Sequence, residues 1–199
     1  MHEPILNKVI LPLEDAKVVY FPEFLSVIEA NSFFELLKSN IAWQQEEVKV
    51  FGKLYPQPRL TALYANNNRK YSYSGLTLEP KPFTPSLIKL KQRIEEISNT
   101  NFTSCLLNLY RNGKDSNGWH ADDEKELGQN PIIASVSLGQ ERIFHFKHKT
   151  KKELKYKLLL ENGSLLLMEG ETQHNWYHQI PKTRKIINER INLTFRIIP

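Results

Sequence analysis

A histidine and an aspartate stand two residues apart in Trp119-His120-Ala121-Asp122, directly after the turn-rich stretch 113–118. Side chains alternate along an extended segment, so His120 and Asp122 project to one face and can reach a single metal ion. Such a pair needs a third ligand. His174 and His178, both within QHNWYHQIP, are the candidates, and either completes a 2-His-1-carboxylate set on one face of an octahedral iron(II). Spacing does not choose between them. His2 lies near the chain end, and His145 and His148 lie on a basic segment, where they read as exposed or facing nucleic acid.

A second pattern concerns anions. In 190–197, Arg190, Asn192, Thr194 and Arg196 share one parity, and Ile191, Leu193, Phe195 and Ile197 the other. One face is core. The other carries two guanidinium forks, which match carboxylates bidentately if that face points into a barrel. Asn108 and Tyr110 alternate with Leu107 and Leu109 in the same way and are expected in the same pocket.

The elements that must hold these residues are legible as patterns. Pro22 to Asn40 has mostly helical apolar spacing, and Thr84-Pro85 opens a second helix with the stripe Leu87, Leu90, Ile94 and Ile97. Short β segments are expected at 104–110, 132–138, 142–148, 154–160, 164–169 and 191–198, with Asn162-Gly163 as a hairpin turn. This order predicts an α+β chain with a jelly-roll core. The 199 residues carry a formal charge of +5 and 40% hydrophobic residues, ordinary for one globular domain. A single cysteine, Cys105, excludes an internal disulfide and a thiolate-cluster metal site. No leader or membrane span is read, so an intracellular monomer is expected, cytoplasmic in a bacterium and nuclear in a eukaryote.

Together, Asn108-Leu-Tyr110, His120-Ala-Asp122-Asp-Glu124, Ile133-Ala-Ser-Val-Ser137, Gly163-Ser-Leu-Leu-Leu167, Trp176-Tyr-His178 and Arg190-Ile-Asn-Leu-Thr-Phe-Arg196 resemble the AlkB family of iron(II)- and 2-oxoglutarate-dependent dioxygenases, most of all its duplex-acting DNA repair demethylases. The resemblance runs from about Val50 onward. It implies a double-stranded β-helix (jelly roll) catalytic core over 102–199, with N-terminal helices and a nucleotide-recognition lid over 1–101, in one structural domain. It implies Fe(II) held by His120, Asp122 and His178, with 2-oxoglutarate and O2 as cosubstrates. It thereby favours His178 over His174. Arg190 and Arg196 would take the carboxylates of 2-oxoglutarate, with Asn108 and Tyr110 assisting. The implied reaction hydroxylates an N-methyl group on an alkylated base such as N1-methyladenine or N3-methylcytosine, and the product breaks down to formaldehyde and repaired base.

The same resemblance places base recognition on Tyr71, Tyr73 and Ser74 of the lid and on Glu124, an acceptor suited to an exocyclic amine. Phe51 resembles an apolar wedge that fills the gap left by a flipped base. Arg59, Lys182, Arg184 and Lys185 are expected on nucleic acid, and Lys147, Lys149, Lys151 and Lys152 form a further basic patch. Trp119 departs from the polar residue usual in duplex-acting members, and Tyr73 from their phenylalanine. The partner expected is alkylated DNA. RNA as main substrate, or nucleic-acid binding without turnover, are the alternatives.

Overall fold

The computed structural model describes residues 7–50, 52–67, 71–73 and 76–198. Strands β1 (Val9–Ile10) and β2 (Lys17–Phe21) lead to helix α1 (Val27–Asn40). There follow β3 (Glu47–Val50), β4 (Lys53–Pro56), β5 (Leu60–Ala65), β6 (Tyr71–Tyr73), β7 (Leu76–Leu78), β8 (Lys81–Pro82) and helix α2 (Pro85–Ser98). Then come β9 (Ser104–Tyr110), β10 (Asn117–His120), β11 (Ile133–Gly139), β12 (Arg142–His148), β13 (Lys155–Leu160) and β14 (Leu165–Glu169). A single 3-10 turn at Lys125–Leu127 lies between β10 and β11, and a short helix α3 (Thr172–Asn175), β15 (Trp176–Ile180) and β16 (Arg190–Arg196) complete the described elements.

Both helices are set by their caps. Thr84 accepts from the Leu87 N–H and Pro85 opens α2, whose Leu87, Leu90 and Ile94 are fully buried, as the stripe predicts. The start expected at Pro22 is corrected. α1 begins at Val27, because Ser26 and Glu29 form a reciprocal capping box, while Phe24 and Leu25 are buried in the preceding turn. Ile28 and Leu36, read as part of its apolar face, are 83% and 44% exposed.

The major sheet runs β1-β2-β14-β11-β16-β9-β5-β8 and the minor sheet β10-β15-β12-β13. One apolar core packs the major sheet under α1 and α2, through Leu37, Leu90, Leu107, Val136, Leu165 and Leu193. A second fills the space toward the minor sheet, through Leu106, Phe144, Phe146, Leu166 and Trp176. The major sheet is thus covered on both faces, which is why β9 and β16 are buried along their whole length. This is the jelly-roll architecture.

Asn162-Gly163 is not the turn of a hairpin. β13 pairs with β12, whereas β14 pairs with β11 and β2, so the dipeptide carries the chain from one sheet to the other. Gly163 has φ +83°, and a Cβ there would lie 2.7 Å from the Leu25 carbonyl oxygen, leaving room for glycine alone. Asn162 Oδ1 accepts from the Gly139 N–H at 2.8 Å, pinning the crossing to the end of β11.

Candidate active site

β16 lies between β9 and β11, and its inward residues Arg190, Asn192, Thr194 and Arg196 all line one cavity of about 380 Å³. Asn108 and Tyr110 of β9 line it beside them, as their parity requires. Leu106, Met168 and Phe144 add an apolar wall. His120 and His178 face it from the minor sheet, where they are direct register partners on β10 and β15.

The imidazole Nε2 atoms of His120 and His178 lie 3.1 Å apart, and ligand atoms of His120, Asp122 and His178 all fall within 4.8 Å of one another. Asp122 sits two residues past β10 and is fixed from two directions. Its backbone N–H donates to Gln173 Oε1 at 3.0 Å, and its Oδ1 accepts from Arg196 Nη2 at 2.8 Å. Burial would raise the Asp122 carboxyl, but Arg196 and the two imidazoles outweigh it and hold the pKa at about 2. Burial and the neighbouring His120 push His178 down to about 3, and burial lowers His120 too. At neutral pH the set is therefore two neutral imidazoles and one carboxylate. His120 Nδ1 lies 2.8 Å from the Gly118 carbonyl, which it serves as donor when Nε2 carries the free lone pair. Two nitrogen lone pairs and a carboxylate converging on one point form a donor set that fits a divalent iron. His174, exposed on α3, takes no part.

The cavity also fits a dicarboxylate. Arg190 is 1% exposed and its Nη2 donates to Ser137 Oγ at 2.9 Å, yet its Nε and Nη1 make no hydrogen bond among the described residues. Burial pulls its pKa to about 10, so it stays protonated, with no carboxylate beside it among the described residues. A buried cation with open donors calls for an anionic ligand. Between the arginines, Asn192 Nδ2 donates to Ser135 Oγ at 2.8 Å, and Thr194 Oγ1 to Asn192 Oδ1 at 3.1 Å, so the polar row is braced along its length.

Residues 17–196 match the model of the 2OG-Fe(II) oxygenase superfamily. The chain is 43% identical over 196 residues to alpha-ketoglutarate-dependent dioxygenase alkB homolog 3 of Bos taurus, spanning 94% of this chain and 68% of that relative. It is an AlkB-family dioxygenase. DNA oxidative demethylase ALKBH2 of Bos taurus is 38% identical over 180 residues, spanning 85% of this chain and 65% of that one. The fold is similar to the solved structure of OsALKBH1, with a TM-score of 0.64 at 17% identity, covering 95% of this chain and all of that one. The family's cosubstrates are 2-oxoglutarate and O2, and its metal is Fe(II). No helix among the described residues is long and apolar enough to cross a membrane.

Other predicted residues of this dioxygenase fall in different places. Glu124 lines the cavity rim, and Lys182, Arg184 and Lys185 are exposed on the loop between β15 and β16. That loop is anchored where Thr183 N–H donates to the Gly113 carbonyl at 2.8 Å, against a glycine whose added Cβ would meet Thr183 O at 2.6 Å. Tyr71 and Tyr73 lie on β6, paired with Leu78 and Leu76 of β7. Phe51 and Ser74 fall outside the described residues.

Three readings are corrected. Arg59 is not on the outer surface: it is 6% exposed, lines the cavity, and donates from Nε to Asn108 Oδ1 at 2.8 Å and from Nη1 to the Ser116 carbonyl at 3.1 Å. β5 pairs with β9 so that Thr61 is the register partner of Asn108, and Arg59, two residues earlier, reaches the Asn108 side chain diagonally. His148 is buried, its Nδ1 accepting from the Thr150 and Lys151 N–H groups and its ring edge-on to Trp176. Of the expected lysine patch, Lys149 is paired with Asp123 and Lys151 with Glu14 and Asp15. Gln173, fully buried and holding the Asp122 backbone, was not anticipated. A glutamine inside a polar helical turn gives no sign of a partner 51 positions away.

Proposed function

We propose that this dioxygenase demethylates N1-methyladenine and N3-methylcytosine in DNA, a direct-reversal repair that releases formaldehyde, succinate and CO2. The observation that carries it is one cavity with a His-Asp-His set at one end and a buried arginine without an anion at the other. His120, Asp122 and His178 would hold iron, and Arg190 and Arg196, with Asn108 and Tyr110, would orient 2-oxoglutarate. Iron with its cosubstrates supplies the oxidising equivalents that convert an N-methyl C–H to C–OH. The chain's own task is placement and exclusion of water: Leu106, Phe144 and Met168 keep the methyl-binding side apolar. Glu124 at the rim accepts from adenine N6 or cytosine N4, either of which can donate. Tyr71, Tyr73 and Ser74 form the lid over the base, Phe51 fills the vacated stack, and Lys182, Arg184 and Lys185 meet phosphates. The similarity to ALKBH2, a DNA oxidative demethylase, supports DNA as the polymer.

The test is mass spectrometry of methylated single-stranded DNA, duplex DNA and RNA after incubation with protein, Fe(II) and 2-oxoglutarate. Loss of the methyl mass from DNA at the higher rate is the expected result. Faster loss from RNA would move the substrate to RNA. No loss from any of the three, with an anaerobic Fe(II)–2-oxoglutarate charge-transfer band intact, would leave a binder without turnover and overturn the reading.

A further inference from the structure

The strands that carry His120 and His178 have a second face, turned away from the cavity. On it stand Trp119 of β10, Tyr177 and Gln179 of β15, His145 and Lys147 of β12, and Lys155 and Lys157 of β13. None of the four strands, NGWH, RIFHFKH, KYKLLL and WYHQI, contains an acidic residue. Register places Lys147 directly opposite Lys155, and His145 directly opposite Lys157. Like charges facing each other across a sheet are destabilising, and the Lys147–Lys155 pair carries that cost, while burial and Lys157 push His145 down toward its neutral form.

The aromatic rings are arranged with the cations. Lys147 Nζ lies 4.3 Å from the Trp119 ring centre and 5.5 Å from that of Tyr177, and Lys149 Nζ lies 4.9 Å from Tyr177. Trp119 and Tyr177 remain 40% and 36% exposed. The acid paired to the edge of this face, Asp123, is covered by Lys149 at 2.7 Å. We infer that the outer face of the minor sheet is a docking platform for single-stranded nucleic acid, with phosphates on Lys147, Lys155 and Lys157 and an unpaired base on Trp119.

Two arguments select that occupant. An exposed antiparallel sheet bearing aromatics and cations, with no acid, matches the stacking surface and charge of a single strand, whereas a duplex hides its base faces. Trp119 also adjoins His120 on β10, so a strand on the outer face continues around the sheet edge toward the cavity mouth. The platform rests on the proposed function for its choice of polymer, but its binding can be measured without turnover.

The experiment follows fluorescence anisotropy of a labelled, unmethylated single-stranded 20-mer on the metal-free protein across a salt series. Lys155→Glu with Lys157→Glu should weaken binding at least about tenfold and make the log-log salt slope shallower by about 1.4, the share of two phosphate contacts. Trp119→Ala should weaken binding about tenfold through lost stacking. The lysine double variant should demethylate a methylated trinucleotide, too short to span both faces, at the wild-type rate. Wild-type affinity in all variants would overturn the platform while leaving the proposed function standing. Displacement of the 20-mer by poly-glutamate as readily as by unlabelled oligonucleotide would also overturn it, in favour of a face for acidic protein. A trinucleotide that no form turns over would instead count against the proposed function, with the anisotropy result still deciding the platform.

Discussion

The two ends of the cavity each hold a buried arginine on β16, and they differ in what answers its charge. Arg196, 5% exposed, meets Asp122 at 2.8 Å inside the protein. Arg190, 1% exposed, meets a serine hydroxyl and the ring of Tyr110, with no carboxylate beside it among the described residues. One cation is matched internally and fixes a proposed metal ligand, while the other has open donors that the proposed cosubstrate would meet. Stability and ligand affinity should therefore respond in opposite ways at the two ends.

Asp122→Ala should give the largest effect, because it removes a proposed iron ligand and breaks the buried Arg196–Asp122 ion pair. Demethylation should fall below detection, and the metal-free protein should lose about 3–5 kcal/mol in denaturant melts. His120→Ala should also abolish turnover but leave the melt nearly unchanged. If both variants melt alike, the Arg196–Asp122 pair is not what stabilises that end.

Arg190→Leu tests the other end. A charge-assisted hydrogen bond lost to 2-oxoglutarate is worth about 1.5–3 kcal/mol, or roughly ten- to a hundredfold in cosubstrate affinity. Meanwhile the ligand-free variant should melt no lower than wild type, since an unmatched buried charge has been replaced by an apolar chain. Adding 2-oxoglutarate should raise the wild-type melting temperature and leave that of the variant almost fixed. A marked drop in ligand-free stability would mean that Arg190 is already satisfied.

Acid should loosen the metal end first. His178 titrates near 3 when folded against its ordinary 6.5, so the unfolded chain binds the extra proton between those values, and stability falls as pH drops through that window. The limit is about 1.4 kcal/mol per pH unit. Asp122 has the depressed-acid pattern, its contribution complete above 3.8 and lost as pH falls through about 2. Melting of metal-free protein from pH 7 to 4 should show the decline in wild type and a flatter profile in His178→Gln; parallel profiles would reject it. The smallest effect is expected from Arg59→Met, which frees Asn108 to turn its amide. Cosubstrate affinity should weaken by about fivefold with the metal-binding titration unchanged.

Local chemistry was the legible part. The parity of 190–196, the Thr84-Pro85 cap and the limits of β9 and β12 all depend on neighbours within a few positions and are found as read, whereas Ile197, read as core, is 38% exposed past the end of β16, and Asp122 lies beyond the strand that carries His120. What sequence concealed depends on partners far along the chain. Asn162-Gly163 has the composition of a hairpin turn, but β14 is claimed by β2 and β11. Arg59 reads as a surface cation until the pairing of β5 with β9 brings its side chain within reach of Asn108. Lys149 and Lys151 look like a free basic run until Asp123, Glu14 and Asp15 fold against them.

The place of β16 bears on how the chain is made. It is the strand between β9 and β11, and Ser104 Oγ donates to the Arg196 carbonyl across 92 positions. During synthesis β9 and β11 must leave the ribosome well before their shared partner exists, each with an open edge that invites pairing with other chains. Both arginines arrive on that late strand, so the cosubstrate cavity and the closure of the sheet come into being in the same step. A chain that still lacks β16 carries His120, Asp122 and His178 but neither arginine, so cosubstrate binding is the last part of the site to form.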